Sequence, residues 1–175
     1  TRDIPILCRD RVQHVGDAVA FVVAETRAQA QDAAEMIEVD YESEEATTAT
    51  ATALDADTPL VWPELGSNRA FVYAIGNSAK TDAAFAKAAK IVSIAFRNNR
   101  LVCNYMEARG AIAEWKAEED RFVLTVGSQG VHSMQSILAG IFKMPKDKLR
   151  VVTPDVGGGF GPKTFVYREY GMVLE

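Results

Sequence analysis

The run Val156-Gly157-Gly158-Gly159-Phe160-Gly161-Pro162-Lys163-Thr164 is the part of the chain whose residue types and spacing say most about chemistry. Three consecutive glycines admit backbone conformations closed to other residues. They also let main-chain N–H groups approach an anionic or electron-rich ligand with no Cβ in the way. Phe160 adds an apolar wall beside whatever lies there. On its own, a strand–glycine–helix pattern of this kind fits a tight turn against a neighbouring strand as well as it fits a ligand cradle.

Two phosphate-binding loops come close to this run and fail on the same residue. Gly157, Lys163 and Thr164 take the first-glycine, lysine and threonine places of G-x-x-x-x-G-K-[ST], but Pro162 stands at the second glycine. Proline has no N–H to aim at a phosphate, and its fixed φ opposes the wrapped loop. The dinucleotide pattern G-x-G-x-x-G begins with Gly157 and Gly159 and again meets Pro162 at its last glycine. It also lacks the acidic residue expected about 20 positions further on.

Other chemistries are set aside by composition. The net charge is −5 and the basic residues are not clustered, which excludes a phosphate-tracking nucleic-acid surface. Cys8 and Cys103 are far apart and belong to no CxxC pattern, so neither zinc nor an iron–sulfur cluster is expected on this chain. They read as two buried free thiols. The longest apolar run, Ala18 to Ala24, is seven residues, well below the roughly 20 needed to span a bilayer. No basic-then-apolar leader opens the chain.

The elements that must position the loop read as α+β. Ala18 to Ala24 (AVAFVVA) predicts a buried strand, followed by a helix capped by Thr26 with Gln29 as its capping-box partner. Ala30, Ala33, Ala34 and Ile37 give that helix a thin face suited to packing on a sheet, and Glu38 to Tyr41 alternates as a strand. Residues 44–77 show no sustained period and read as a connecting segment, with Val61-Trp62 as its anchor. Beyond it, Lys80 to Ala89 predicts a helix and Ile91 to Phe96 a strand. Ala111 to Trp115 and Phe122 to Val126 predict two strands joined by a charged turn. Met134, Ile137, Leu138 and Ile141 mark a helix that Pro145 closes, Leu149 to Thr153 forms a strand running into the glycines, and Arg168 to Glu175 is helical.

Four blocks in order then carry a resemblance. Val15-Gly16-Asp17-Ala18-Val19-Ala20, Asn104-Tyr105-Met106-Glu107-Ala108-Arg109-Gly110, Ser128-Gln129-Gly130-Val131-His132 and Arg150 to Lys163 together resemble the xanthine dehydrogenase/aldehyde oxidase family of molybdopterin-binding large subunits. The wording is similar to carbon monoxide dehydrogenase large subunits in particular, with Ala108 where the family usually has proline. The resemblance implies that the chain is part of a longer subunit. Residues 1–43 would then be the end of an α/β hammerhead domain, 44–77 a connection, and 78–175 the start of the first molybdopterin-binding domain.

The resemblance also implies roles. Gln129 would reach a molybdenum oxo group, an acceptor that a neutral amide can serve while the metal changes oxidation state. The competing reading is that Gln129 caps the helix near Val131. Gly158, Gly159, Phe160 and Gly161 would form the cofactor loop, with Phe160 and its backbone beside the metal. Lys163 reads as a solvent-facing loop residue, His132 as a polar partner of backbone, and Glu107 with Arg109 as an ion pair holding the loop. The family's general-base glutamate lies beyond residue 175, so neither Glu169 nor Glu175 is assigned that role. Thr164 stands where purine-oxidising members have glutamate, which points to a substrate other than a purine.

The activity so implied is a molybdenum hydroxylase oxidising an aldehyde, an N-heterocycle or carbon monoxide, with water as the oxygen source. The cofactor would be molybdenum-molybdopterin, with the cytosine dinucleotide form as the default. FAD and [2Fe-2S] groups would sit on partner subunits, in a cytoplasmic dimer of heterotrimers, with the periplasm as the alternative location. This 175-residue piece is expected to have no turnover by itself. The competing function is a non-catalytic fragment or degenerate homologue that acts as an assembly or binding module.

Overall fold

The computed structural model describes residues 5–99 and 101–175. The described residues form two units, one of residues 37–99 and one of residues 5–36 with 101–175.

The larger unit is organised by a three-stranded sheet in the order β1-β2-β3, with β1 at Ala111–Lys116, β2 at Arg121–Val126 and β3 at Leu149–Val152. β1 and β2 form an antiparallel hairpin that pairs Ala111 with Val126 and Lys116 with Arg121. A single 3-10 turn, Ala117–Glu119, joins them, and Asp120 closes the turn at φ 49°. A short carboxylate side chain tolerates that left-handed conformation better than a β-branched one would. Trp115 stands opposite Phe122, their rings edge-on at 4.8 Å, which is a favourable cross-strand aromatic pair.

β3 pairs with β2 in parallel, from Phe122 opposite Leu149 to Thr125 opposite Val152. A parallel pair needs a crossover, and helix α3, Val131–Ile141, which follows α1 at Arg27–Glu35 and α2 at Ser78–Lys87 in the chain, supplies it. The core is Leu124, Val126 and Leu149 from the sheet, Met134 and Leu138 from α3, and Tyr170 and Leu174 from the C-terminal segment. The last helix of the unit, Arg168–Met172, carries Tyr170 into this core.

The buried face of α3 differs from the apolar stripe read in the sequence. Met134 and Leu138 are buried, but Ala139 joins them while Ile137 and Ile141 are half exposed. The buried arc is turned toward Gln135. That side chain donates through Nε2 to the carbonyls of Lys146 and Leu149, tying the helix to the start of β3. This polar tether, about 100° round the helix from Met134, lies beside the buried arc and leaves the two isoleucines on the more exposed side.

In the same unit, the helix Arg27–Glu35 begins as expected. Thr26 accepts from the Gln29 N–H, and the Gln29 side chain accepts from the Thr26 N–H, a complete capping box. Its alanine face is not packed on a sheet, since no residue of the helix is buried. Ala18 to Ala24 is likewise not a buried strand: Phe21 and Val23 are exposed, and among the described residues no ladder forms along the run. The Cys8 N–H donates to the Ala18 carbonyl at the start of the run.

The smaller unit contains a helix, Ser78–Lys87, capped by the Asn77 side chain on the Lys80 N–H. Residues 44–77 are irregular apart from the 3-10 turn Pro63–Leu65. Asn68 organises them: its Oδ1 accepts from the Val61 N–H while its Nδ2 donates to the carbonyls of Ala53 and Pro59. Glu38 to Tyr41 and Ile91 to Phe96 join no ladder among the described residues, so neither is a strand there. Composition makes a run able to be a strand; only a partner backbone makes it one.

Candidate functional site

Because β2 and β3 are parallel, both chains leave the sheet at the same edge. Ligands of open α/β sheets commonly bind outside the carboxyl ends of such strands. Here the two exits are stitched together: the Ser128 N–H donates to Thr153 Oγ1, and Ser128 Oγ accepts from the Gly130 N–H. The β2 exit then delivers Gln129 into α3, and the β3 exit delivers the glycine loop.

The loop is built from backbone conformations that few residues adopt. Gly158 has φ +92° and Gly161 φ +98°. Phe160 also lies in the left-handed region, at φ 47°, and its ring is 72% exposed. A bulky side chain there costs about 1–2 kcal/mol, and exposure returns none of it. Strain of this kind at an exposed aromatic is characteristic of ligand-facing loops.

Gln129 and the loop are in direct contact. Gln129 Oε1 accepts from the Gly161 N–H at 3.0 Å, and the Gln129 N–H donates to the Lys163 carbonyl at 3.0 Å. With its oxygen so engaged, the amide has its two Nε2–H donors left for an incoming acceptor. The contact requires glycine: a Cβ on Gly159 would lie 2.5 Å from Gln129 Oε1. The α3 N-cap is Gly130, and no side chain caps that helix. The structure therefore brings Gln129, Gly158, Gly159, Phe160 and Gly161 into one constellation, and Gln129 is not a helix cap.

A second strut holds the near end of the loop. Glu107 and Gly157 exchange bonds: the Glu107 N–H donates to the Gly157 carbonyl at 3.2 Å, and the Gly157 N–H to Glu107 Oε2 at 2.7 Å. The same carboxylate oxygen receives the Lys163 ammonium at 2.6 Å. Lys163 is 0% exposed, with its Nζ 4.8 Å from the centre of the Tyr105 ring. The hydrogen bond from Lys163, followed by that from the Gly157 N–H, holds the Glu107 carboxyl below its ordinary range.

These contacts correct several expectations. Lys163 is buried rather than solvent-facing, because a carboxylate waits for it inside. Glu107 pairs with Lys163 and not with Arg109, whose guanidinium instead stacks 3.5 Å over the Tyr167 ring. His132 is exposed, and it is its carbonyl that is used, accepting from Ser136 Oγ. Both cysteines are free, but Cys103 is exposed and Cys8 only half buried. The Cys103 thiol contacts the Phe160 carbonyl at 3.8 Å. The i, i+2 spacing of Glu107 and Arg109 pointed those two at each other, and no local spacing signals a pair 56 residues apart. In extended chain that spacing favours the same side but leaves Glu107 free to face elsewhere once Arg109 finds an aromatic ring.

Among the described residues no three His, Cys, Asp or Glu side chains gather as a metal-binding set. What the site offers is the Gln129 amide, its Nε2–H donors set against a glycine arch, suited to an electron-rich group that brings its own metal.

A cofactor-cradling α+β domain is thus the class that fold and site define, and the comparisons with known proteins agree. Residues 61–174 match the molybdopterin cofactor-binding domain, and residues 1–45 the aldehyde oxidase and xanthine dehydrogenase a/b hammerhead domain. The chain belongs to the molybdopterin cofactor-binding domain family of xanthine dehydrogenase/aldehyde oxidase-type large subunits. It is 31% identical to the nicotine 6-hydroxylase large subunit of Paenarthrobacter nicotinovorans over 95% of its own length and 20% of the relative's. With the carbon monoxide dehydrogenase large chain of Afipia carboxidovorans it shares 30% over 94% of its length and 22% of the relative's. Among solved structures, quinoline 2-oxidoreductase from Pseudomonas putida 86 superposes with a TM-score of 0.80 at 32% identity, covering 98% of this chain and 22% of that one. The chain spans about a fifth of the length of the curated relatives it matches.

Proposed function

We propose that this chain supplies one wall of the molybdenum-cofactor site in the catalytic subunit of a hydroxylase that oxidises an aldehyde, an N-heterocycle or carbon monoxide. The observation that carries this reading is the Gln129 amide, oriented by the Gly161 N–H and lying against a glycine arch with no room for a Cβ at Gly159. In this reading the Gln129 amide would help hold the molybdenum cofactor, its Nε2–H groups donating to an acceptor on the metal centre. Gly158, Gly159, Phe160 and Gly161 border the cofactor, with the Phe160 ring excluding water beside it. The bound molybdenum-molybdopterin, with the cytosine dinucleotide form as default, would accept two electrons while water supplies the oxygen.

The residues of this chain bind and orient; the glutamate base that abstracts the proton is assigned to a position beyond residue 175. We take residues 1–43 as the end of the hammerhead domain, 44–77 as connection and 78–175 as the start of the cofactor domain. The hammerhead match ends at residue 45, close to the first boundary, while the cofactor-domain match begins at residue 61, inside the connection. Electrons would leave through [2Fe-2S] and FAD groups on partner subunits of a cytoplasmic dimer of heterotrimers. Thr164, exposed after Lys163, favours a non-purine substrate.

The test is metal and pterin analysis of the full-length protein purified with its partners. Molybdenum and pterin in equal amounts are expected, and the absence of both would sink the reading. Gln129→Ala should leave the fold intact and lower oxidation of a loaded enzyme by about tenfold or more, the value of one well-placed donor.

A further inference from the structure

The Glu107–Lys163 pair lies one step behind the loop and touches none of the face that Gln129 presents. Lys163 is 0% exposed while Glu107 remains 38% exposed, so the ammonium is the fully desolvated partner. A buried ammonium is retained only where its donors are met by acceptors. Its position is fixed from several directions: Glu107 Oε2 at 2.6 Å, the Tyr105 ring, and the backbone of Gly127, on which a Cβ would stand 3.4 Å from Nζ. Gly127 is also where a Cβ would lie 3.1 Å from Glu107 Oε1, so the strand exit is kept bare to admit both members of the pair.

The geometry links three segments through one charge. Glu107 comes from the segment before β1, and it grips the near end of the loop through Gly157. Lys163 comes from the far end of the loop, and its own carbonyl holds the Gln129 N–H. Closing the pair therefore fixes the distance between the two ends of the loop and, through the Lys163 carbonyl, the place of Gln129. We propose that Lys163 and Glu107 are positioning residues that clamp the two ends of the glycine loop and so set the register of Gly158–Gly161 against Gln129. This rests on the reading of the loop as a cofactor site, although the clamp itself is a property of the polypeptide.

The experiment uses the full-length protein in its complex, as wild type and as Lys163→Met, Glu107→Gln and the double variant. Amide hydrogen exchange at residues 157–161 is followed in cofactor-free protein, and released pterin is measured per subunit in loaded protein. Each single variant is expected to raise exchange at Gly157 and Gly161 by about tenfold or more, the scale of one lost charge-assisted bond. Pterin content should fall severalfold alongside it. The double variant should be no worse than the worse single one, because the pair acts as a unit.

Unchanged loop exchange in both single variants would overturn the clamp, whatever the pterin content. So would exchange that spreads equally to Leu124 and Val151, since the pair would then hold the sheet rather than the loop. Loosened exchange with full pterin retention would leave the clamp standing and count against the cofactor reading instead. If Lys163→Met does not fold, Glu107→Gln still decides the matter, since its side chain is partly solvated and can be changed without opening a core cavity.

Discussion

Two alanine substitutions two residues apart should separate placement of the site from stability of the fold. The three atoms nearest a Cβ on Gly159 all belong to the Gln129 side chain, Oε1 at 2.5 Å, Cδ at 2.7 Å and Cγ at 2.9 Å. To restore ordinary contact near 3.4 Å the amide must retreat by about 0.9 Å, which takes its 3.0 Å bond to the Gly161 N–H out of range. One net hydrogen bond is worth about 0.5–1.5 kcal/mol, while Gly→Ala at an unstrained φ returns about 0.4–1 kcal/mol through the unfolded chain. Gly159→Ala should therefore cost less than about 1 kcal/mol overall. A Cβ on Gly157 meets Glu107 at its Cβ, N and Cα, at 2.5, 3.2 and 3.4 Å, and main chain cannot rotate away. Overpacking of that kind costs about 1–3 kcal/mol. At about 2–4 °C per kcal/mol for a domain of this size, Gly157→Ala should lower Tm by roughly 2–12 °C and Gly159→Ala by less than about 4 °C. Thermal unfolding and released-pterin content, measured on the same preparations, check this: Gly159→Ala should lose pterin out of proportion to its small Tm change. A larger Tm loss for Gly159→Ala than for Gly157→Ala, or full pterin retention in Gly159→Ala, would refute the reasoning.

Three further outcomes are expected. The Glu107 carboxyl is held below its ordinary value, so its contribution is complete above the ordinary carboxylate range and is lost as pH falls through the depressed folded value; loop exchange corrected for intrinsic rate should be flat from about pH 6 to 9 and rise only in acid, and a rise near neutrality would contradict it. Leu124 is fully buried on the central strand, and Leu124→Ala should cost about 2–5 kcal/mol in urea unfolding; a loss under about 1 kcal/mol would show that β2 is not the centre of the core. Phe160→Gly relieves a left-handed φ at an exposed position, so stability should stay within about 1 kcal/mol of wild type, and a larger loss by thermal unfolding would mean the ring is structural.

Local signals were the most legible in the sequence. The Thr26–Gln29 capping box is a contact within three residues, and chemistry alone writes it; the Asn77 cap is equally local but was not read. The hairpin Ala111 to Val126 and the crossover through α3 into β3 were readable because alternation and helical period agree with their neighbours. Ala18 to Ala24 and Ile91 to Phe96 have the composition of strands without a described ladder, because pairing depends on a second segment that the run itself does not encode. The glycine loop and Gln129 were found through wording shared with a family, not through periodicity. The Glu107–Lys163 pair was missed because its members are 56 residues apart and each has a nearer, blander use. Burial of a lysine follows from where its acceptor ends up, which is a property of the fold.

The loop stands like an arch with two fixed footings. Gly157 is pinned by Glu107, and Gly161 and Lys163 are pinned by Gln129, all through main-chain groups. Between them, the crown at Gly158–Phe160 lies against Tyr105 and Gln129 and takes the weak contact from the Cys103 thiol at the Phe160 carbonyl. A substitution at the Phe160 side chain would thus change what the arch shows to its surroundings and leave its span alone. The fold separates the choice of surface from the placement of that surface, and a different chemical face could be mounted on the same footings without re-engineering the sheet beneath.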